Sequence, residues 1–280
     1  MFAAPFEYAR PTSLDEALAL LAKHGDNAKL LAGGHSLIPA MKLRLAQPTL
    51  VIDISRLDAL RRVEDRDGRL AIGALVTHAE IAASRAAAAR CPLLVEAAAA
   101  IGDLQVRNKG TIGGSLVHAD PAADWPAVIL ALDAELEIAG AKGRRTVKAG
   151  EFFTGMFETA LGPGEILCEI RVPATGASVA YVKTEQKASG FALCGVAAVV
   201  DAKAKRVRVG VTGVAPVAYR ATAVEQALEG QALNTQTIAA AARQAAAGVT
   251  PLADIHASAD YRAHLAQVNT VRALERAASG

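Results

Sequence analysis

The sequence predicts an α+β protein in which two small α/β units precede a C-terminal unit of strands followed by helices. Three observations point there. The chain has 280 residues, enough for two or three packed units and too many for one small core. Up to Pro173, short apolar runs of strand length are interspersed with helical patterns. Beyond Pro173, strand-like runs come first and three Ala-rich helical stretches follow, without the βαβ alternation of a parallel sheet. The divisions fall at 1–57, 58–174 and 175–280.

Each element has a local reason. Ser13-Leu-Asp-Glu16 is a capping box, and Leu14, Ala17, Leu18 and Leu21 form an apolar helical stripe that Gly25 stops. A short strand, Lys29 to Ala32, runs into Gly33-Gly34, and a second spans Leu50 to Ile54 after the break at Pro48. Asp67-Gly68 sits between two strand-like runs and predicts a hairpin. Thr77-His-Ala-Glu80 is a further capping box, opening a short helix, and Pro92 to Ile101 is a helix of mostly small residues. Gln105 to Ser115 holds too many backbone-permissive residues for regular structure. A helix from Pro121 to Leu132 and strands near 135–138, 146–148 and 166–172 close the second unit. In the third, strands at 178–184, 195–201 and 206–214 precede helices at about 220–229, 235–247 and 259–277, with Asp201 to Lys205 turning a hairpin.

Composition excludes several classes. The formal charge is only +2 and basic residues are interleaved with acidic ones, so there is no concentrated basic face for nucleic acid. Met1 to Pro11 lacks the regions of a signal peptide, and no apolar run approaches the roughly 20 residues of a membrane-spanning helix. Cys91, Cys168 and Cys194 are scattered, which speaks against disulfides and against an iron–sulfur cluster held by this chain alone. The expected location is the cytoplasm.

Two stretches can carry chemistry. In Lys29-Leu-Leu-Ala-Gly-Gly-His-Ser36 a strand ends in two glycines and a His/Ser pair that can start a helical turn. Successive N–H groups of such a turn suit an anion, and glycines let the backbone approach it closely. For a lone Gly-Gly the default reading is tight packing. Thr111-Ile-Gly-Gly-Ser115, followed by His118-Ala-Asp-Pro-Ala-Ala-Asp124, repeats the pattern, and two such loops argue for one extended anionic ligand between two units. Asp124 can accept from a sugar hydroxyl or stand as a solvated helix-start carboxylate. His118, Asp120 and Asp124 fit no strong metal signature, and His24 and His78 read as surface or cap residues. Neither GxGxxG nor GxSxG occurs, which removes a Rossmann site and a nucleophile elbow.

At these residues the sequence resembles the FAD-binding medium subunit of molybdenum hydroxylases, the family of carbon monoxide dehydrogenase and xanthine dehydrogenase. Ala32-Gly-Gly-His-Ser-Leu37, Gln105-Val-Arg-Asn through Ser115, and His118 through Asp124 carry the match; Ala257 to Arg262 and Arg272-Ala-Leu274 add a weaker tail motif. The resemblance spans essentially the whole chain and implies a two-subdomain FAD-binding fold of the vanillyl-alcohol-oxidase type plus a C-terminal α+β domain. It implies cofactor contacts at Lys29, Leu30, Leu31, Ala32, Gly33, Gly34, His35, Ser36 and Leu37, and at Thr111, Gly113, Gly114, Ser115 and His118. Asp124 is implied on the ribityl chain, Ile72, Ile166 and Leu167 as apolar lining, and Lys183 as a basic neighbour. Ser115 stands where some relatives have asparagine; both side chains form hydrogen bonds.

The same resemblance implies the role: non-covalent FAD, no catalytic side chain, and no metal held by this chain. A large partner subunit would carry the molybdenum cofactor and a small one [2Fe–2S] clusters, assembled as a dimer of heterotrimers. Electrons would pass from the clusters to FAD and on to an external acceptor, in a soluble complex or one peripheral to the inner membrane face. The alternatives are a self-sufficient flavin oxidase of the same superfamily, with His35 as a covalent attachment point, and a non-catalytic nucleotide-binding scaffold.

Overall fold

The structure is a computed structural model and describes residues 2–279. Its first layer is a parallel sheet of β1 (Glu7–Ala9), β2 (Ala28–Leu31) and β3 (Leu50–Asp53), with β3 in the centre. Helix α1 (Leu14–His24) starts where Ser13 Oγ accepts from the Glu16 amide and ends at Gly25, whose φ is +53°. Its buried face, Ala17 and Leu21, packs with Leu50 and Ile52, and the same cluster reaches Ala139, Ile166 and Cys168 of the next sheet. Helix α2 (Leu37–Lys42) follows β2 after a five-residue loop, 32–36.

The second layer is an antiparallel sheet in the order β4 (Val63–Arg66), β5 (Arg69–Gly73), β10 (Ile166–Pro173), β6 (Glu135–Gly140) and β7 (Gly143–Lys148), with the small hairpin β8 (Phe153–Gly155) and β9 (Glu158–Thr159) beside it. Side chains alternate across it as a half-covered sheet requires. Leu70, Ile72, Leu136 and Ile170 enter the core, while Glu64, Arg66, Glu137, Glu169 and Arg171 form an ion-pair lattice on the other side. Helices α3 (His78–Ala82), α4 (Arg85–Arg90), α5 (Pro92–Ala100), α6 (Leu104–Arg107), α7 (Ile112–His118), α8 (Trp125–Ala131) and α9 (Ala149–Phe152) accompany this sheet.

Two expectations change here. Residues 105–115 are not irregular: Asp103 Oδ1 caps α6 by accepting from Val106 N at 2.8 Å, and Thr111 Oγ1 caps α7 by accepting from Gly114 N at 3.0 Å. Burial of Ile112 and Leu116 offsets the poor helix propensity of the two glycines. The helix expected from Pro121 starts only at Trp125, because Pro121 to Ala123 form a turn whose carbonyls serve the C-terminal sheet.

That sheet is an antiparallel meander, β11 (Ser178–Glu185), β12 (Ala192–Asp201), β13 (Arg206–Thr212) and β14 (Tyr219–Arg220). Helices α10 (Thr222–Leu228), α11 (Thr235–Ala242) and α12 (Ala259–Ala278) join the core on one face; α11 is shorter than expected, residues 243–248 being turns. The other face meets α5 and α8. All seven residues of α8 are buried, as a helix enclosed between two layers must be.

Candidate functional site

The two glycine stretches meet. A Cβ added to Gly33 would overlap the Lys109 carbonyl oxygen, and one added to Gly114 would lie 4.0 Å from the Ala32 methyl. Gly113 is pressed on Ala74, with its added Cβ 2.5 Å from the Ala74 methyl. Two of these glycines therefore bring backbone against backbone, which is the packing reading of the sequence. What packing leaves exposed is the more informative feature.

Among the described residues, the amides of Gly33, Gly34, His35, Ser36 and Leu37 donate to no protein acceptor. They form one run between β2 and α2, with Gly34 at φ +79° turning the chain and His35 and Ser36 exposed. In the second loop the amides have protein acceptors. Ile112 N donates to Val76 O at 3.0 Å, Gly113 N to Ala74 O at 2.9 Å, and Gly114 N to Thr111 Oγ1 at 3.0 Å. Its amides are used up in holding the loop in place, so it can offer a ligand the Thr111 and Ser115 hydroxyls and the open face of Gly114. Identical dipeptides thus do different work, and only their tertiary neighbours separate them.

Asp124 is neither solvated nor free. It is 5 % exposed; its Oδ1 accepts from the Tyr181 hydroxyl at 2.5 Å and its Oδ2 from Lys183 Nζ at 3.1 Å, the ammonium lying 2.9 Å from Oδ1. Burial pushes its carboxyl up from the ordinary range, against the pull of Lys183 and Tyr181. Lys183 also donates to Ala100 O at 2.8 Å, which places this ammonium against the end of α5. Burial, and then the neighbouring carboxylate, push the Tyr181 phenol well up, so it remains a donor.

The remaining expected residues divide. Lys29 is exposed on β2, Leu30 packs towards α1, and Leu31 ends the strand beside the Gly34 turn. His118 is exposed, its ring 5.2 Å from that of Phe157. Ile72, Ile166 and Leu167 are 0, 1 and 3 % exposed and lie within the cores. His78, read from sequence as a surface or cap residue, is buried and accepts from Trp125 Nε1–H at 3.0 Å. Burial first, then the charges of His35 and Arg107, lower its pKa from 6.5 to about 4. Asp120 caps its own turn through Ala122 N, and no group of three metal-ligating side chains gathers among the described residues.

These groups fit FAD. A run of free amides suits a diphosphate, and hydroxyls with a buried carboxylate suit a polyol chain. Tyr181, which holds Asp124, was missed from sequence; its only local signal is a polar residue at a buried strand position.

Residues 4–175 match the FAD binding domain in molybdopterin dehydrogenase, and residues 179–277 match the CO dehydrogenase flavoprotein C-terminal domain. The chain belongs to this family: it is an FAD-binding subunit of the molybdenum hydroxylase class, with the two-part FAD-binding fold and C-terminal α+β domain that the sequence predicts. Among its relatives, the carbon monoxide dehydrogenase medium chain of Hydrogenophaga pseudoflava is 43 % identical over 277 residues, covering 97 % of this chain and 96 % of that one. The 6-hydroxypseudooxynicotine dehydrogenase complex subunit alpha of Paenarthrobacter nicotinovorans is 38 % identical over 278 residues, with 97 % and 94 % coverage. A solved structure of the Hydrogenophaga pseudoflava enzyme, lacking the Mo-pyranopterin moiety, superposes with a TM-score of 0.96 at 44 % identity, covering 100 % of this chain and 99 % of its own. Quinoline 2-oxidoreductase from Pseudomonas putida 86 gives 0.95 at 33 % identity with the same coverage. No helix among the described residues is long and apolar enough to cross a membrane.

Proposed function

We propose that this chain is the electron-transfer subunit of a heterotrimeric molybdenum hydroxylase, holding FAD without a covalent link. The observation that supports this most is the run of unpartnered amides from Gly33 to Leu37 beside the Thr111–Ser115 segment. In this reading those amides bind the diphosphate, and the hydroxyls of Thr111 and Ser115 complete its shell. Charge-assisted bonds of this kind contribute roughly 1.5–3 kcal/mol each. Asp124 accepts from a ribityl hydroxyl, and Lys183 sets the charge beside it. Lys29, Leu30, Leu31 and His118 flank the cofactor, with Ile72, Ile166 and Leu167 behind. The three units divide at 57/58 and 174/175, and the cofactor sits where they meet.

When bound, the flavin supplies the redox chemistry, and the protein supplies binding, orientation and electrostatics. A large subunit with the molybdenum cofactor selects the substrate, a small [2Fe–2S] subunit delivers electrons, and an external acceptor removes them. The assembly is a dimer of heterotrimers in the cytoplasm. Gentle purification from the native host, with flavin, iron and molybdenum counted per chain, tests this. Co-purifying large and small subunits with all three cofactors are expected; a lone yellow protein whose flavin stays with the acid precipitate would instead mark a self-sufficient, covalent flavoprotein.

A further inference from the structure

The turn that carries Asp124 is gripped from the C-terminal sheet. Thr212 Oγ1 lies 2.9 Å from the Pro121 carbonyl oxygen and 2.7 Å from that of Ala123. Gly213 N donates to Pro121 O at 2.8 Å, and Ala192 N to Ala122 O at 3.2 Å. At Asp124 itself, the Tyr181 hydroxyl donates to Oδ1 at 2.5 Å, while Lys183 Nζ lies 2.9 Å from Oδ1 and 3.1 Å from Oδ2. Every residue from 121 to 124 is thus held by β11, β12, β13 or the residue that follows β13.

The phenol reaches Asp124 because of a gap in β12. Gly195 pairs with Lys183 across the strands, and a Cβ there would collide with the Tyr181 hydroxyl and lie 2.9 Å from the Thr212 methyl. A carboxylate offers about four acceptor positions. Oδ1 accepts from Tyr181 and Oδ2 from Lys183, so each oxygen keeps an open acceptor position whose direction the two donors fix.

We infer that Tyr181 is a positioning residue of the cofactor site: from the C-terminal domain, with Lys183, it sets the direction in which Asp124 presents its carboxylate to the polyol chain of bound FAD. This rests on the assignment of Asp124 given under the proposed function. Its consequence is that the C-terminal domain is part of the flavin site, and by reciprocity bound flavin and the grip on residues 121–124 strengthen each other.

The test is an FAD titration of the full-length, flavin-stripped chain, read by quenching of Trp125, its sole tryptophan. Tyr181→Phe keeps the ring and removes one bond to a charged acceptor, so FAD is expected to bind about tenfold more weakly. In an Asp124→Asn background the same change is expected to add no further loss, which identifies the carboxylate as the route of the effect. A merely structural hydroxyl would lower the melting temperature of the free and FAD-bound chains alike and leave Kd unchanged. That result, or a loss that is additive with Asp124→Asn, overturns the inference. Should Tyr181→Phe not fold, Thr212→Val loosens the same turn; weaker FAD binding is expected there, and an unchanged Kd overturns the inference. Failure of the unaltered chain to bind FAD at all would instead remove the cofactor assignment itself, and this inference with it.

Discussion

Replacing Gly113 by alanine tests the claim that the second glycine pair is a packing device. The added Cβ would stand 2.5 Å from the Ala74 Cβ, 2.6 Å from its carbonyl oxygen and 2.8 Å from its Cα. Ordinary contact begins near 3.4 Å, so α7 and the segment after β5 must separate by about 0.9 Å. Neither side can yield by a side-chain rotation, because the obstacle includes backbone. The same strip holds the bonds from Gly113 N to Ala74 O and from Ile112 N to Val76 O, both of which lengthen if the strip opens. Overpacking of this kind costs about 1–3 kcal/mol, and each kcal/mol lowers the melting temperature by about 2–4 °C in a chain of this size class. The displaced Thr111 and Ser115 hydroxyls are expected to weaken FAD binding about tenfold, equivalent to about 1.4 kcal/mol. The assay is thermal unfolding of the apo chain alongside an FAD titration. Gly150→Ala is the control: it lies in α9 with nothing within 4 Å of the added Cβ, and alanine there is expected to be stabilising by about 0.5–1 kcal/mol. If Gly113→Ala melts and binds FAD like that control, the packing argument is wrong.

Four further outcomes are expected. Gly114→Val places a branched side chain beside Thr111 Oγ1 and Ala32, and is expected to abolish FAD uptake while the circular dichroism spectrum is kept; stoichiometric flavin in that variant would refute the placement of the site. His35→Ala is expected to retain its flavin and to release it fully on acid precipitation, whereas complete loss of bound flavin would count against the non-covalent reading. Asp124→Asn leaves the buried Lys183 ammonium without its counter-charge, and a loss of about 3–5 kcal/mol is expected by denaturant unfolding. The fold refuses a proton at His78, whose pKa is lowered from 6.5 to about 4, while the unfolded chain accepts one near 6.5. Stability from this group is therefore present above about pH 6.5 and lost as pH falls towards about 4, by about 3 kcal/mol in all. His78→Gln is expected to flatten that part of the stability–pH curve, and an unchanged slope would show that another group is responsible.

Much of the fold is legible locally. Ser13 and Thr77 cap the helices that their spacing to Glu16 and Glu80 implies, because a capping box closes within one turn. The hairpin at Asp67-Gly68 and the break into a C-terminal strand meander are likewise written in neighbouring residues. The class of protein is legible through the family resemblance that the two ordered glycine motifs carry, since each motif is written in residues adjacent in sequence. Tertiary structure decided the rest. Whether a glycine amide is free or spent depends on Ala74 and Val76, which precede the second pair by more than thirty residues in the chain. Asp124 became a buried, paired carboxylate because β11 lays Tyr181 and Lys183 on it, and His78 lost its ordinary basicity because Trp125 and the core close over it. Burial, desolvation and hydrogen-bond partnership are properties of residues brought together from far apart. The sequence by itself could name these side chains, and only the packed chain could set their charge, direction and reach.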